Sequence, residues 1–149
     1  MSVADKSQYY FFDTNVLVYA FDHNSPDKQR IAIELINDSL ESQRGIISTQ
    51  VVQEFISLAL RKFTKRMTIA ECREYLNTVL LPLCRYFPSI STYDQALGIV
   101  DTTGYALYDA LIITAAIESG CRILLTEDMQ HGHKIQGLTI LNPFAEMSP

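Results

Sequence analysis

The chain has 149 residues, of which 48% are hydrophobic and 19% are charged. This length and composition are typical of one globular domain with a substantial core, and they exclude a disordered chain. The 12 basic and 17 acidic residues give a net charge of −5, which excludes a uniformly basic nucleic-acid-binding surface but not a local basic patch.

The sequence also bears on compartment and domain organisation. No apolar run reaches the roughly 18 residues of a membrane-spanning helix, and the N-terminal segment lacks the sections of a signal peptide. Three widely spaced cysteines without a C-x-x-C pair favour reduced thiols in the cytoplasm. We therefore expect a single cytoplasmic domain over residues 1–149, with flexible ends at 1–8 and 145–149.

The first half of the chain alternates strand and helix patterns. An aromatic run at residues 9–12 predicts a buried strand that stops at Asp13, and residues 15–21 predict a short helix. Ser25, Pro26 and Asp27 are typical of a helix start, and this helix is expected to end near residue 45. The further elements predicted here are a strand at 45–48, a helix from 49 to about 63 capped by Ser48 or Thr49, and a helix from a capping box at 68–71 to about 81.

The second half continues the alternation. Pro82 and Pro88 are expected to bracket a connection, with a strand at 87–91 and a second capping box at 92–95 that opens a helix ending near Gly104. Residues 106–117 are apolar on nearly every face and predict a covered helix. Strands at 121–126 and 138–141, separated by a loop at 127–137, complete a pattern that predicts a mostly parallel sheet with helices on both faces.

Four carboxylates stand where this pattern does not require them. Asp13 and Asp128 follow two predicted strands, at the edge where parallel sheets bind ligands. Glu54 borders the apolar face of its helix, and Asp109 interrupts an apolar helix, where an unpaired buried carboxylate is costly. Structural interpretations also exist, namely a helix cap for Asp13, a solvated rim for Glu54, a dipole partner for Asp109 and a turn residue for Asp128, beside the competing Glu127.

Together the four acids predict a site for a divalent cation. Two like charges about 4 Å apart repel by roughly 4 kcal/mol at an effective dielectric constant of about 20, so a cluster of them needs a cation or protonation. Oxygen ligands favour Mg²⁺ or Mn²⁺ over zinc, and Mg²⁺ commonly contacts a phosphate-bearing substrate. The chemistry implied is metal-assisted attack of water on a phosphodiester.

Four ordered segments carry a resemblance to a known family. They are Phe12-Asp13-Thr14-Asn15-Val16-Leu17, Gln50-Val51-Val52-Gln53-Glu54-Phe55, Tyr108-Asp109-Ala110-Leu111-Ile112 and Leu124-Leu125-Thr126-Glu127-Asp128-Met129-Gln130-His131-Gly132. With the ending at 137–144, their order and spacing resemble the PIN domain family, and most closely the VapC-type ribonuclease toxins of toxin–antitoxin systems.

The resemblance implies both a fold and an activity. It implies a three-layer α/β/α PIN-like domain with a central, mostly parallel sheet, and endonucleolytic hydrolysis of RNA that depends on Mg²⁺ or Mn²⁺. It further implies homodimers and a cognate antitoxin protein whose tail enters the acidic groove. The acids that it marks as catalytic and metal-binding are Asp13, Glu54, Asp109 and Asp128, with supporting positions at Thr14, Asn15 and Thr126, and with Glu127 as the open alternative for the fourth acid.

Basic and aromatic residues supply further candidates for RNA contacts. A basic segment suits either phosphate contacts or a solvated helix end, and consists of Arg61, Lys62, Lys65 and Arg66. Tyr105 and Tyr108 suit either base stacking or packing. His131 and His133 lack the spacing of a zinc site and are expected in a loop.

Two other function classes fit parts of the pattern. Phosphotransfer enzymes with an Asp nucleophile after the first strand want a second Asp two residues later, where this chain has Asn15. A nuclease-like module that binds RNA or protein without cutting is the other alternative, since intact acids show only that a metal site is possible.

Overall fold

The structure is a computed structural model that describes residues 8–145. The ends that the sequence predicts to be flexible, 1–8 and 145–149, lie outside the described residues apart from Gln8 and Ala145.

The centre of the molecule is a six-stranded sheet with the order β3-β2-β1-β4-β6-β5. All neighbours pair in parallel except β5, which is antiparallel to β6. Its strands are β1 (Tyr10–Phe12), β2 (Gly45–Ser48), β3 (Cys84–Tyr86), β4 (Ile123–Leu125), β5 (Lys134–Ile135) and β6 (Leu138–Leu141). The mostly parallel sheet expected from the sequence is confirmed.

Helices cover this sheet on both sides. They are α1 (Thr14–Tyr19), α2 (Pro26–Ser42), α3 (Thr49–Arg61), α4 (Ile69–Tyr75), α5 (Leu81–Leu83), α6 (Ile90–Thr103) and α7 (Leu107–Glu118), with a π-helical turn at Leu76–Leu80 between α4 and α5. Successive residues of a strand face opposite sides of a sheet. Because Tyr10, Phe11 and Phe12 are all 0% exposed, both faces of β1 are covered, as the three-layer architecture requires.

The region around residues 82–95 differs from the prediction. The strand lies at Cys84–Tyr86 rather than at 87–91, because its partner β2 pairs with those residues. Pro82 lies inside the short helix α5, not in a connection. The next helix starts at Ile90 with Ser89 as its cap, since the Thr92 hydroxyl binds the Ser89 N–H in a capping box; the predicted box at 92–95 is wrong.

The loop predicted at 127–137 contains a strand that the sequence did not reveal. Lys134–Ile135 forms the short antiparallel β5, which turns into β6 through Gln136 and Gly137. Both turn residues have positive φ, 50° and 86°, as the tight hairpins that match strand twist require. A two-residue strand is too short to give an alternation pattern.

Two further features concern expectations about membranes and thiols. No described helix is by itself long and apolar enough to cross a membrane, and α6 with α7 satisfies that test only as a pair bent by 115°. Cys72, Cys84 and Cys121 are all free.

Candidate active site: an acidic cleft at the carboxyl edge of the sheet

Asp13 joins the end of β1 to the start of α1. Its Oδ1 accepts a hydrogen bond from the Thr14 N–H at 2.7 Å, so it does cap the helix. Its Oδ2 accepts one from the Thr126 hydroxyl at 2.8 Å, and Thr126 follows the adjacent strand β4. With 7% exposure, Asp13 is both a helix cap and a buried carboxylate at the carboxyl edge of the sheet.

Asn15 connects Asp13 to the segment that follows β4. Its Nδ2 lies 3.0 Å from Asp128 Oδ2, 3.2 Å from Thr126 Oγ1 and 3.4 Å from Asp13 Oδ2. Its Oδ1 accepts the Glu127 N–H at 3.2 Å, which fixes the orientation of the amide. The Asp128 N–H donates to Thr126 Oγ1 at 3.1 Å. One network of hydroxyl, amide and backbone groups therefore holds both Asp13 and Asp128.

Glu54 approaches the same place from α3. Its Oε1 accepts a hydrogen bond from the Thr14 hydroxyl at 2.6 Å, and its Oε2 lies 3.4 Å from Gln50 Nε2. Gln50 also donates to the backbone carbonyl of Tyr108 at 3.2 Å. This amide therefore links the start of α3 to the start of α7.

Asp109 lies in the first turn of α7, a position that also suits the helix dipole. The expectation of a helix covered on every face is wrong for this turn, since Leu107 is 42% and Tyr108 is 68% exposed. Burial begins at Ala110, so the first turn of α7 lies at the surface and its later turns pack into the core. Among residues 8–145, no group donates a hydrogen bond to the Asp109 side chain.

The four acids line one open cleft of about 840 Å³, the acidic cleft, and they act on one another electrostatically. Burial raises the pKa of Asp13 to about 6; the Thr126 and Thr14 donors oppose this rise, and the charges of Glu54 and Asp128 add to it. Burial and the charges of Asp128 and Glu54 likewise raise the pKa of Asp109. The cleft therefore holds more negative charge than its own donors compensate.

The cleft fits a hard divalent cation in its chemistry but not as a closed cage. In the part of the chain that the structure describes, no three His, Cys, Asp or Glu side chains converge closely enough to hold a metal ion. Thr14, Asn15 and Thr126 donate hydrogen bonds to oxygens of three of the four carboxylates, so these oxygens are engaged by the protein's own groups. The oxygen atoms that could act as metal ligands belong to carboxylates, hydroxyls and amides, and such ligands suit Mg²⁺ or Mn²⁺.

Glu127 differs from its neighbour Asp128 because a cation neutralises it. Lys28 of α2 forms an ion pair with Glu127, and the Tyr19 hydroxyl donates to the same carboxylate. The Lys28 ammonium also lies 4.8 Å from the centre of the Tyr19 ring and 5.6 Å from that of Phe144. The sequence did not identify Lys28 or Tyr19 as site residues. A lysine on a helix and a tyrosine on a short apolar helix belong to no functional motif.

Of the remaining sequence candidates, Tyr108 lines the cleft, whereas the basic segment and the two histidines lie outside it. The four residues of the basic segment are exposed at the end of α3 and just beyond it, and they are Arg61, Lys62, Lys65 and Arg66. His133 is 3.1 Å from the Tyr105 hydroxyl, and His131 accepts the Asn142 N–H at 2.9 Å. Both histidines thus serve the packing of the loop in which they lie.

Comparison with known proteins identifies structures with a similar fold and a matching family. A search of curated proteins gave no match. The structure is similar to a toxin–antitoxin complex from Klebsiella pneumoniae (TM-score 0.63, 19% identity, covering 90% of this chain and 97% of that chain) and to FitAcB from Neisseria gonorrhoeae (0.59, 19%, 91% and 99%). It is also similar to VapBC2 from Rickettsia felis bound to a promoter DNA fragment (0.57, 18%, 89% and 96%). The model of the PIN domain matches residues 10–134, and the chain therefore belongs to the PIN domain family.

Proposed function

We propose that this protein is a Mg²⁺- or Mn²⁺-dependent endoribonuclease that hydrolyses RNA phosphodiester bonds, and that it is the toxin of a toxin–antitoxin pair. The observation that carries the proposal is that four carboxylates line one cleft, where burial and their mutual charges raise the pKa values of Asp13 and Asp109. Membership of the PIN domain family supports it.

The cation would be held by Asp13, Glu54, Asp109 and Asp128. When bound, it would supply positive charge next to the scissile phosphate and lower the pKa of a bound water. The protein's own contribution is orientation, since Thr126 and Asn15 hold Asp13 and Asp128 while Thr14 holds Glu54. Glu127 is left out of this set because Lys28 already neutralises it.

Charge and the similar structures support the substrate and the antitoxin partner in this proposal. An acidic protein needs local cations to hold RNA, and the basic segment at 61–66 begins one to two helical turns after the cleft residues Glu54 and Ser57 on α3. The similar Klebsiella pneumoniae structure is a toxin–antitoxin complex, which supports an antitoxin protein as a partner. We include a homodimer and a cytoplasmic location in the proposal.

The direct test is cleavage of RNA by the purified protein with Mn²⁺. We expect wild type to cut a mixed-sequence RNA, EDTA to stop it, and Asp109→Asn to reduce the rate at least a hundredfold. Asp101→Asn on the exposed face of α6 makes the same chemical change outside the cleft and should cut like wild type. Equal rates for wild type and Asp109→Asn would refute the assigned centre.

One observation favours a second candidate, a module that binds RNA or protein without cutting. Among residues 8–145 the carboxylates do not form a closed metal cage. RNA binding by wild type with no Mn²⁺-dependent cleavage would establish this candidate instead.

A further inference from the structure

A second cavity of about 260 Å³ adjoins the acidic cleft. It lies between the start of α3, the connection from β3 to α6 and the first turns of α7. Gln53 and Tyr108 line both cavities, and together they form the ridge between them. Gln53 directly precedes Glu54 and Tyr108 directly precedes Asp109. Successive residues on a helix point about 100° apart, so each acid faces the cleft while its neighbour faces the ridge.

The lining of the second cavity is uncharged. It consists of apolar, aromatic, hydroxyl and amide side chains, among them Gln50, Gln53, Tyr93 and Tyr108. Without a charged side chain it offers nothing to compensate a phosphate or an ionised peptide side chain. The two neighbouring cavities thus differ in kind, since one collects negative charge and the other is neutral and aromatic.

The exposed groups of this cavity suit a flat heterocycle. Tyr108 is 68% and Tyr93 is 45% exposed, so two aromatic rings beside this cavity are open to a ligand. The Gln53 amide has no hydrogen-bond partner among the described residues, and Gln50 is oriented by its bond to the Tyr108 carbonyl. Aromatic faces that stack on a base and amides that bind its edge are the usual means of reading single-stranded RNA.

We propose that the second cavity is a nucleobase subsite, which takes the base of a nucleotide next to the scissile phosphate. Tyr108 stacks on the base, and Gln53 hydrogen-bonds to its edge. The proposal rests on the proposed function, because the position of the phosphate in the acidic cleft decides which base reaches the ridge.

The test is a double-mutant cycle in KM, in which one change is a substitution in the protein and the other is the removal of one base from the RNA. The probe is a single-stranded RNA of twelve nucleotides that wild type cuts once with Mn²⁺, together with copies that carry an abasic ribose on either side of the cut. For wild type, we expect removal of one flanking base to raise KM roughly tenfold, the size of one lost stacking contact, with kcat within about twofold. Tyr108→Ala should raise KM by a similar factor on the intact RNA and lose its sensitivity to the abasic change.

Two variants separate stacking from a general disturbance. Tyr108→Phe keeps the ring face and should rescue the affinity that Tyr108→Ala loses. Tyr9→Ala removes another exposed tyrosine, 43% exposed, just before β1 at the opposite edge of the sheet, and should behave as wild type. Gln53→Ala should reduce the difference in KM among the four bases at the sensitive position.

The outcomes distinguish the subsite from the nuclease. If Tyr108→Ala and the abasic change raise KM independently, so that their factors multiply, the subsite is refuted while the nuclease stands. A loss of binding to a protein partner, with RNA kinetics unchanged, would likewise refute the subsite and assign the cavity to that partner. Absence of Mn²⁺-dependent cleavage in wild type would refute the proposed function and the subsite with it.

Discussion

The acidic cleft has a floor and a rim, and the two are built differently. The floor consists of buried Asp13 and exposed Asp128, which follow neighbouring strands. Both lie within hydrogen-bond distance of the Asn15 amide, while the Thr126 hydroxyl donates to Asp13 and accepts the Asp128 N–H. The rim consists of Glu54 and Asp109, which come from two helices; Thr14 donates to Glu54, and no described group donates to Asp109. The floor is therefore organised by the sheet edge itself, whereas Asp109 at the rim has no donor that orients it.

The largest expected effect is a difference in cleavage rate between variants of two neighbouring acids, Asp128 of the floor and Glu127 beside it. Asp128→Asn should slow RNA cleavage at least a hundredfold, because it removes a carboxylate that acts on both Asp13 and Asp109. Glu127→Gln should slow it less than about threefold, since that carboxylate is already paired with Lys28. Single-turnover rates with Mn²⁺ measure both. The reverse ranking would move the fourth acid to Glu127.

The burial of Asp13 also predicts how stability depends on pH. Asp13 has a pKa of about 6 in the folded protein against an ordinary 3.8, so between those values the folded state binds more protons than the unfolded one. Without metal, stability should therefore fall as pH rises from about 4 to about 6, by up to roughly 3 kcal/mol from this group, and stay low above. Asp13→Asn should remove this contribution; the amide oxygen still caps the Thr14 N–H, because Asn is also a good helix cap, although the amide nitrogen cannot accept the Thr126 hydroxyl.

Urea unfolding in EDTA across that pH range measures the effect. The difference in unfolding free energy between Asp13→Asn and wild type should grow in favour of the variant up to about pH 6 and then level off. For Asp101→Asn, at an exposed position of α6, the difference in unfolding free energy from wild type should not change with pH. Parallel curves for wild type and Asp13→Asn would contradict the burial of an ionisable Asp13.

Amide deletions compare the floor with the rim directly. Asn15→Ala should cost about 2 kcal/mol of stability and slow cleavage by roughly tenfold or more, because it removes donors to Asp128 and Thr126 and an acceptor for the Glu127 N–H. Gln50→Ala should cost about 1 kcal/mol or less, since its contacts at the rim are long, 3.2 and 3.4 Å. Thermal unfolding and cleavage rates measure both, and equal losses would mean that the floor is no better organised than the rim.

The smallest expected effect concerns the ion pair behind the floor. Lys28→Met should reduce stability by about 1 kcal/mol or less, as partly exposed ion pairs usually contribute, while keeping most of the packing on Tyr19. Arg30→Met on the same helix, with 61% side-chain exposure, is the matched control. A loss of several kcal/mol would show that Lys28 holds the whole segment after β4.

Local patterns predicted the floor well. Asp13 was recognisable because it ends a buried aromatic run, and Asp128 because it follows a second predicted strand, so parallel pairing of β1 with β4 brings them to one edge. The capping box at Thr68 was also correct, since both of its hydrogen bonds form within four residues. Such features depend on neighbours in sequence.

Features that depend on distant contacts could not be predicted. The Lys28–Glu127 pair joins residues 99 positions apart, and nothing in either local sequence marks the other. The strand β3 was misplaced because only its pairing with β2 selects Cys84–Tyr86 over the adjacent apolar residues. Asp109 was singled out as an acid inside a covered helix, but the structure leaves its turn partly exposed, since burial on α7 begins only at Ala110.

The most direct test of the central claim is an anomalous-difference map from crystals soaked in Mn²⁺. We expect one or more peaks within coordination distance of carboxylate oxygens from both floor and rim, with Asp109 drawn toward the cation. The same soak of Asp13→Asn crystals should give no peak there. A map with Mn²⁺ bound elsewhere and none among Asp13, Glu54, Asp109 and Asp128 would contradict the claim that these acids form one cation site.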